Sequence, residues 1–256
     1  PGVARAFEVL VPTVLVLVVM ATIGWISSTF LGLPLNDLIS NYVQEPLKAI
    51  IGNNIFAVMI LYVIISLFWC VGMHGNNMVA AVKEPIFLPM IVENMEAFSK
   101  GKEAPNALNL TMLQMFGEWG GSGVTLALVV AIFIFGKRED NRAIATLSIV
   151  PGMFNINETV TFGIPLVLNP ILDIPFILAP VAAVFVGYLL TVIGFCPKVV
   201  VQTPWTCPPI LMGFLATGGN IMGALSQLVV FVVAIVIYAP FFIAYEKYQN
   251  RQSAEA

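Results

Sequence analysis

The sequence predicts an all-α integral membrane protein, on three observations. The first is composition. Of the 256 residues, 59% are apolar and only 10% are charged, whereas a soluble domain carries about 25% charged residues. With a mean hydropathy of +0.95, too few polar groups remain to coat a water-facing surface. The second is charge spacing. No Asp, Glu, Lys or Arg occurs in 9–36, 49–82, 119–136, 174–197 or 199–245, stretches of 28, 34, 18, 24 and 47 residues. A helix needs about 20 apolar residues to cross about 30 Å of hydrocarbon. The third is continuity. Runs such as 56–68 and 228–237 do not alternate, as the strands of a lipid-spanning barrel would. A soluble domain, a disordered chain and a coiled coil are excluded. About five or six transmembrane helices are expected, with about two or three re-entrant or broken hairpin segments.

The elements follow in chain order. The first span covers about 9–30; it is too long for the apolar region of a signal peptide and has no small-residue cleavage site. The chain opens Pro1-Gly2-Val3 without Met, and the expectation is that it is the C-terminal part of a longer protein. In 31–50, Leu35, Leu38, Ile39, Tyr42, Val43 and Leu47 recur at helical spacing among Asn36, Asp37, Asn41 and Gln44, which predicts an amphipathic linker on the membrane plane. Further spans are placed at about 52–73, 119–136, 174–195 and 222–245. Three segments are apolar but interrupted. Residues 74–99 carry Lys83, Glu84, Pro85, Pro89, Glu93 and Glu96. Residues 144–171 carry Pro151, Gly152, Glu158, Pro165 and Pro170, and 198–217 carry Pro204, Pro208 and Pro209. Irregular backbone at membrane depth must be buried in protein or line a cavity, and such segments point to a transporter's binding site.

Charge also orients the chain and limits its partners. The loop Lys137-Arg138-Glu139-Asp140-Asn141-Arg142 and the tail with Lys247 and Arg251 should face the cytoplasm. The net charge of −3 and the scatter of the 11 basic residues make nucleic acid a poor partner. Cys70, Cys196 and Cys207 lie far apart in or beside apolar runs. They have no metal spacing and read as small buried apolar residues. No metal or cofactor is expected.

A few residues carry chemistry. His74, the single histidine, sits in Gly72-Met73-His74-Gly75-Asn76-Asn77 at the end of an apolar run. It reads either as a helix cap or as part of a polar site. Glu158 is the lone charge between Ala143 and Leu172, within Asn155-Ile156-Asn157-Glu158-Thr159. A buried carboxylate is costly unless it is paired, hydrogen-bonded or protonated. It could bind sugar hydroxyls, act as a base, or fix a broken helix end. Trp69 and Trp205 each offer a flat apolar face and one donor, suited to the C–H face of a pyranose; either also fits an interfacial anchor. The run Gly117-Glu118-Trp119-Gly120-Gly121-Ser122-Gly123 lacks the Lys-Ser/Thr of a phosphate loop. It reads as close helix packing or a hinge.

In combination these segments carry a resemblance. Pro151-Gly152-Met153-Phe154-Asn155-Ile156-Asn157-Glu158, then Phe162 to Pro170 and Ile174 to Pro180, form its strongest part. Trp69 to Gly75 form the second, and Pro204-Trp205-Thr206-Cys207-Pro208-Pro209-Ile210 with Gly213 to Gly218 the third. In order over most of the chain, they resemble the membrane-embedded IIC component of the lactose/cellobiose/diacetylchitobiose branch of the bacterial sugar phosphotransferase system. The pattern is departed from at Thr159, where proline is usual, and at Asn76 and Glu84.

The resemblance implies an elevator-type transporter, multi-pass in the bacterial cytoplasmic membrane. Residues 1–30 would be the last helix of an otherwise missing N-terminal dimerisation domain, 31–50 the linker, and 51–256 the substrate-binding transport domain. The subunit would import a disaccharide and present its 6-hydroxyl to a phosphocysteine on a separate IIB protein, so none of the three cysteines is the phosphocarrier. His74 and Glu158 correspond to the family's polar pair at that hydroxyl. Trp69, Trp205, Asn155, Asn157, Gly75, Asn76 and Thr206 would contact sugar, and the protein would be a homodimer. The rival expectation is a proton-coupled secondary sugar transporter, in which Glu158 and His74 carry protons and nothing is phosphorylated.

Overall fold

The structure, a computed structural model, describes residues 2–39, 41–42, 45–46 and 51–255. It divides into two units, 1–50 and 51–256. In the first unit, α1 (Gly2–Ile26) runs into a π-helical turn at Ser27–Leu31, which stops at Gly32 with φ of 71°. A left-handed residue is a usual end for a helix, and glycine adopts it without a Cβ clash. From Leu15 to Val19 every side chain is exposed and apolar, so this surface suits lipid rather than water. The short α2 spans Leu35–Ile39. The predicted amphipathic linker reaches beyond it to Val43 and Leu47, which with residues 40, 44 and 48–50 lie outside the described residues.

In the second unit every described element is helical. Helix α3 (Ile55–Cys70) starts where Asn54 Oδ1 accepts the amides of Phe56 and Ala57 at 3.0 and 3.4 Å, a side-chain cap for otherwise unpaired donors. Its Val58, Leu61, Tyr62, Ile65 and Trp69 are buried at helical spacing, while Phe56, Ile60, Ile64 and Leu67 are exposed. One face therefore packs on protein and the other is left for lipid. Helix α4 (Gly75–Ser99) returns against α3. Gly75 makes this possible: a Cβ there would collide with the Ile65 carbonyl. Where the sequence suggests a broken segment over 74–99, the structure has one continuous helix containing Pro85 and Pro89. Each proline removes one amide donor, and two that lie four apart disturb the same side of the helix. The opposite side keeps its ladder.

The next apolar stretch, Leu110–Phe135, is the most deeply buried of the four stretches among the described residues that are long and apolar enough to cross a membrane. It is interrupted. Helix α5 (Leu110–Gly117) stops, residues 118–124 turn irregularly, and α6 (Thr125–Phe135) resumes. Gly120, Gly121 and Gly123 all have positive φ, as does Val124. The span placed at 119–136 is thus the second half of a crossing whose middle is a glycine-built break. Helices α7 (Glu139–Met153) and α8 (Glu158–Gly163) form a hairpin with a turn at Phe154 to Asn157. Its start is pinned by buried Glu246, whose carboxylate accepts the Lys137 and Arg138 amides at 2.9 Å each. Helix α9 (Asp173–Val192) packs on α3 and on α11 (Ile221–Glu255). Between α9 and α11 an irregular segment enters the bundle and ends in α10 (Leu211–Ala216). It is held where Asn94 Nδ2 donates to Val199 O at 2.8 Å and Ala216 O accepts the Val200 amide at 2.8 Å.

Candidate functional site

The breaks in these helices converge. A cavity of about 580 Å³ opens among the start of α4, the irregular 118–122, the α7–α8 turn and the loop bearing Trp205. His74, Asn76, Asn77, Glu158 and Trp205 line it, as do Asn155 and Asn157.

Histidine 74 occupies the N-cap of α4, where its Nδ1 accepts the Asn77 amide at 3.3 Å. An accepting Nδ1 carries a lone pair, so the ring proton of neutral His74 lies on Nε2. The ring leans on the Trp69 indole, with centroids 4.7 Å apart and planes 49° apart. Trp69 itself is buried and absent from the cavity lining; it backs the histidine. Gly75 is likewise behind the wall, wedged against α3, and Thr206 is also outside the lining.

Glu158 opens α8. It is exposed to the cavity and has neither hydrogen bond nor ion pair among the described residues. Its neighbours hold it there. Asn157 Nδ2 donates to Ser122 O at 3.1 Å. Asn155, with φ of 62°, joins three segments: its Oδ1 accepts the Gly120 amide at 3.0 Å, and its Nδ2 donates to Trp205 O at 2.6 Å and Cys207 O at 3.2 Å. Asparagine tolerates the left-handed region better than most residues, and these bonds repay the strain. Gly121 lets the turns touch; a Cβ there would stand 2.8 Å from Asn155 O and 2.9 Å from Asn157 Cβ. Asn155 and Asn157 thus spend their side-chain amides on backbone. Trp205, anchored through its carbonyl, is 53% exposed as a residue and lines the cavity. Cys70, Cys196 and Cys207 are buried and unpaired.

Apart from Asn76, the sequence did not single out the other polar wall. Lys83 Nζ meets Glu118 Oε1 at 2.8 Å and donates to Asn76 Oδ1 at 3.1 Å, while Asn76 Nδ2 donates to Ser122 Oγ at 2.9 Å. A signal for Glu118 exists: it is the lone charge between Glu103 and Lys137, and an ionisable residue within a membrane segment marks function by default. The cavity therefore offers an N–H donor, the free carboxylates of Glu158 and Glu84, a flat indole and a neutral ion pair. Together these suit an uncharged ligand rich in hydroxyls and large enough to touch several walls.

The chain resembles known proteins along nearly all its length. The family model "Phosphotransferase system, EIIC" matches residues 1–180. The cellobiose-specific EIIC component of Lactococcus lactis is 34% identical over 98% of this chain and 55% of its own length. The oligo-beta-mannoside-specific EIIC component of Bacillus subtilis is 35% identical over 96% and 56%. The lactose-specific EIICB component of Staphylococcus aureus is 29% identical over 96% and 43%. The crystal structure of the transporter ChbC, the IIC component from the N,N'-diacetylchitobiose-specific phosphotransferase system, superposes with a TM-score of 0.81 at 36% identity. That match covers 99% of this chain and 59% of the other. The chain spans about half the length of the relatives it matches.

Proposed function

Because the chain belongs to the EIIC family of the phosphotransferase system, we propose that it binds a disaccharide in this cavity, carries it across the bacterial cytoplasmic membrane and presents its 6-hydroxyl to a phosphorylated IIB protein. The substrate class is that of the relatives: a cellobiose-, lactose- or diacetylchitobiose-like sugar. The observation that carries the reading is the cavity itself. His74, Glu158 and Trp205 come from three distant stretches of sequence and line one space.

In the proposed reaction the Trp205 indole covers the C–H face of one pyranose. The Glu158 carboxylate accepts the hydrogen bond of the 6-hydroxyl, and His74 Nε2–H donates to a sugar oxygen beside it. The hydroxyl oxygen attacks the phosphorus of the IIB phosphocysteine. The P–S bond breaks, the thiolate leaves on IIB, and the hydroxyl proton passes to Glu158. Asn155, Asn157 and Gly75 act by shaping the walls, and Trp69 by supporting the His74 ring.

The reading assigns 1–30 to a helix of a dimerisation domain, 31–50 to an amphipathic linker and 51–256 to a transport domain that moves elevator-fashion in a homodimer. The division at residue 50 supports the boundary. Family membership weighs against the gradient-driven alternative. Uptake of labelled cellobiose by vesicles loaded with phosphorylated or unphosphorylated IIB tests the proposal. Dependence on the phosphorylated form sustains it; equal uptake with either form rejects it.

A further inference from the structure

One pair of charges at the cavity has no part in the phosphoryl transfer above. Lys83 and Glu118 are 4% and 8% exposed, and their side chains meet at 2.8 Å on the cavity wall. A buried ion pair is a poor source of stability, because desolvation offsets its attraction and apolar residues often serve as well. The hydrogen bonds of this pair are incompletely used within the protein. Protonated Lys83 has three donors, and among the described residues Glu118 Oε1 and Asn76 Oδ1 take two of them. Lys83 engages one of the two Glu118 oxygens. The Tyr62 hydroxyl, which donates to Leu113 O at 2.8 Å, also lies within hydrogen-bonding reach of the Glu118 carboxylate; an ionised carboxylate has about four acceptor sites, so acceptor capacity remains. The pair thus offers a cationic donor and an anionic acceptor side by side, with no net charge.

Two adjacent hydroxyls of a pyranose have the complementary form. Their oxygens lie within hydrogen-bonding distance of each other; one can accept from an ammonium while the other donates to a carboxylate. We propose that Lys83 and Glu118 form a subsite for a vicinal diol of the sugar, separate from the His74–Glu158 end of the cavity. This rests on the disaccharide reading above. The subsite is tied to the reacting end through protein: Asn76 bonds Ser122 Oγ, and Ser122 O accepts from Asn157, the residue before Glu158. The spacing between diol and 6-hydroxyl is therefore set by the fold, and sugars whose hydroxyls differ in position or stereochemistry cannot satisfy both ends.

The test is the Kd of the purified protein for the tightest-binding of cellobiose, lactose and diacetylchitobiose, and for its monodeoxy analogues. A single substitution would leave one charge buried and unpaired, so the variant is Lys83→Met with Glu118→Met. Hydrogen bonds to charged groups suggest a loss of roughly 10- to 100-fold for each of two adjacent hydroxyls in wild type. The double variant loses both contacts, so it should bind the parent sugar more weakly by up to about 10²- to 10⁴-fold, the product of the two losses, and no longer distinguish it from those two analogues. A folded double variant with wild-type affinity, or one that weakens every analogue equally relative to wild type, overturns the subsite. So does a wild type in which no two adjacent hydroxyls matter. If the double variant does not fold, Lys83→Arg moves the donor while keeping the charge; discrimination at the two hydroxyls should then fall, and unchanged discrimination refutes the proposal. A wild type that binds none of the three sugars overturns the sugar reading of the cavity and the subsite with it.

Discussion

His74 and Glu158 face the cavity from opposite chemical roles, one with a fixed donor and one with a free acceptor. The donor is fixed because the Asn77 amide occupies Nδ1, so the imidazole cannot easily serve as a base without giving up its cap. Glu158 has no such commitment. Replacing Glu158 by Gln keeps size and hydrogen bonding but removes basicity. We expect part of sugar binding to survive and phosphoryl transfer from phospho-IIB to fall about 10²- to 10⁴-fold. Transfer at the wild-type rate would exclude the base role, and a variant that fails to fold would make the carboxylate structural. His74→Asn separates capping from binding, since Asn is a good N-cap but too short to reach where Nε2 does. Melting temperature should hold while sugar affinity falls roughly tenfold, the worth of about one hydrogen bond. A fall in melting temperature with affinity unchanged would leave His74 as a cap alone. Both residues were legible in the sequence because an ionisable group in an apolar stretch stands out. Glu118 gives the same signal, masked by the glycines around it. Its partner Lys83 lies 35 positions away, and no local pattern announces that pairing.

The helix breaks depend on one another, and Asn155 and Gly121 carry that dependence. Asn155 joins the α7–α8 turn to the Gly120 amide and to the Trp205 and Cys207 carbonyls. Asn155→Ala would leave a buried amide and two carbonyls unpaired and keep the strained φ. The expected destabilisation is about 2–4 kcal/mol, read as a lower melting temperature in detergent, with sugar affinity falling as Trp205 loosens. Gly121→Ala adds a methyl group where Asn155 and Asn157 already press, at φ of 91°; it should cost more stability than alanine at Gly101, where nothing lies within 4 Å. Equal melting temperatures for the two glycine variants would mean that the turns can separate. Charge gaps made most spans legible. The single helix through Pro85 and Pro89 was not, because local rules count prolines as breaks and cannot see the packing that carries a helix past them. At 118–124 the glycines that read as close helix packing or a hinge do form a break, and the α7–α8 turn fits against it at Gly121; only its place in the middle of a crossing was not legible.

In the second unit, large apolar side chains such as Phe56, Ile60, Val232 and Val236 are exposed, while His74, Lys83, Glu118, Asn155, Asn157 and Glu158 line a cavity at the helix breaks. That distribution suits a multi-pass membrane protein, in which lipid replaces water as solvent for the outer surface. The resemblance read from sequence covered the same segments that line or support the cavity, and the family match agrees with it. What it could not supply was which side chains face the space and which stand behind it: Trp69 and Gly75 carry the motif yet serve as backing. We propose that a sugar bound in this cavity is phosphorylated rather than released unchanged. The most direct test is the chemical identity of the sugar recovered inside vesicles that carry the purified protein and enclose phosphorylated IIB. Disaccharide 6-phosphate is expected, formed only while phosphorylated IIB lasts and indifferent to an uncoupler of the proton gradient. Free disaccharide that accumulates without IIB and disappears when the gradient is collapsed would contradict it.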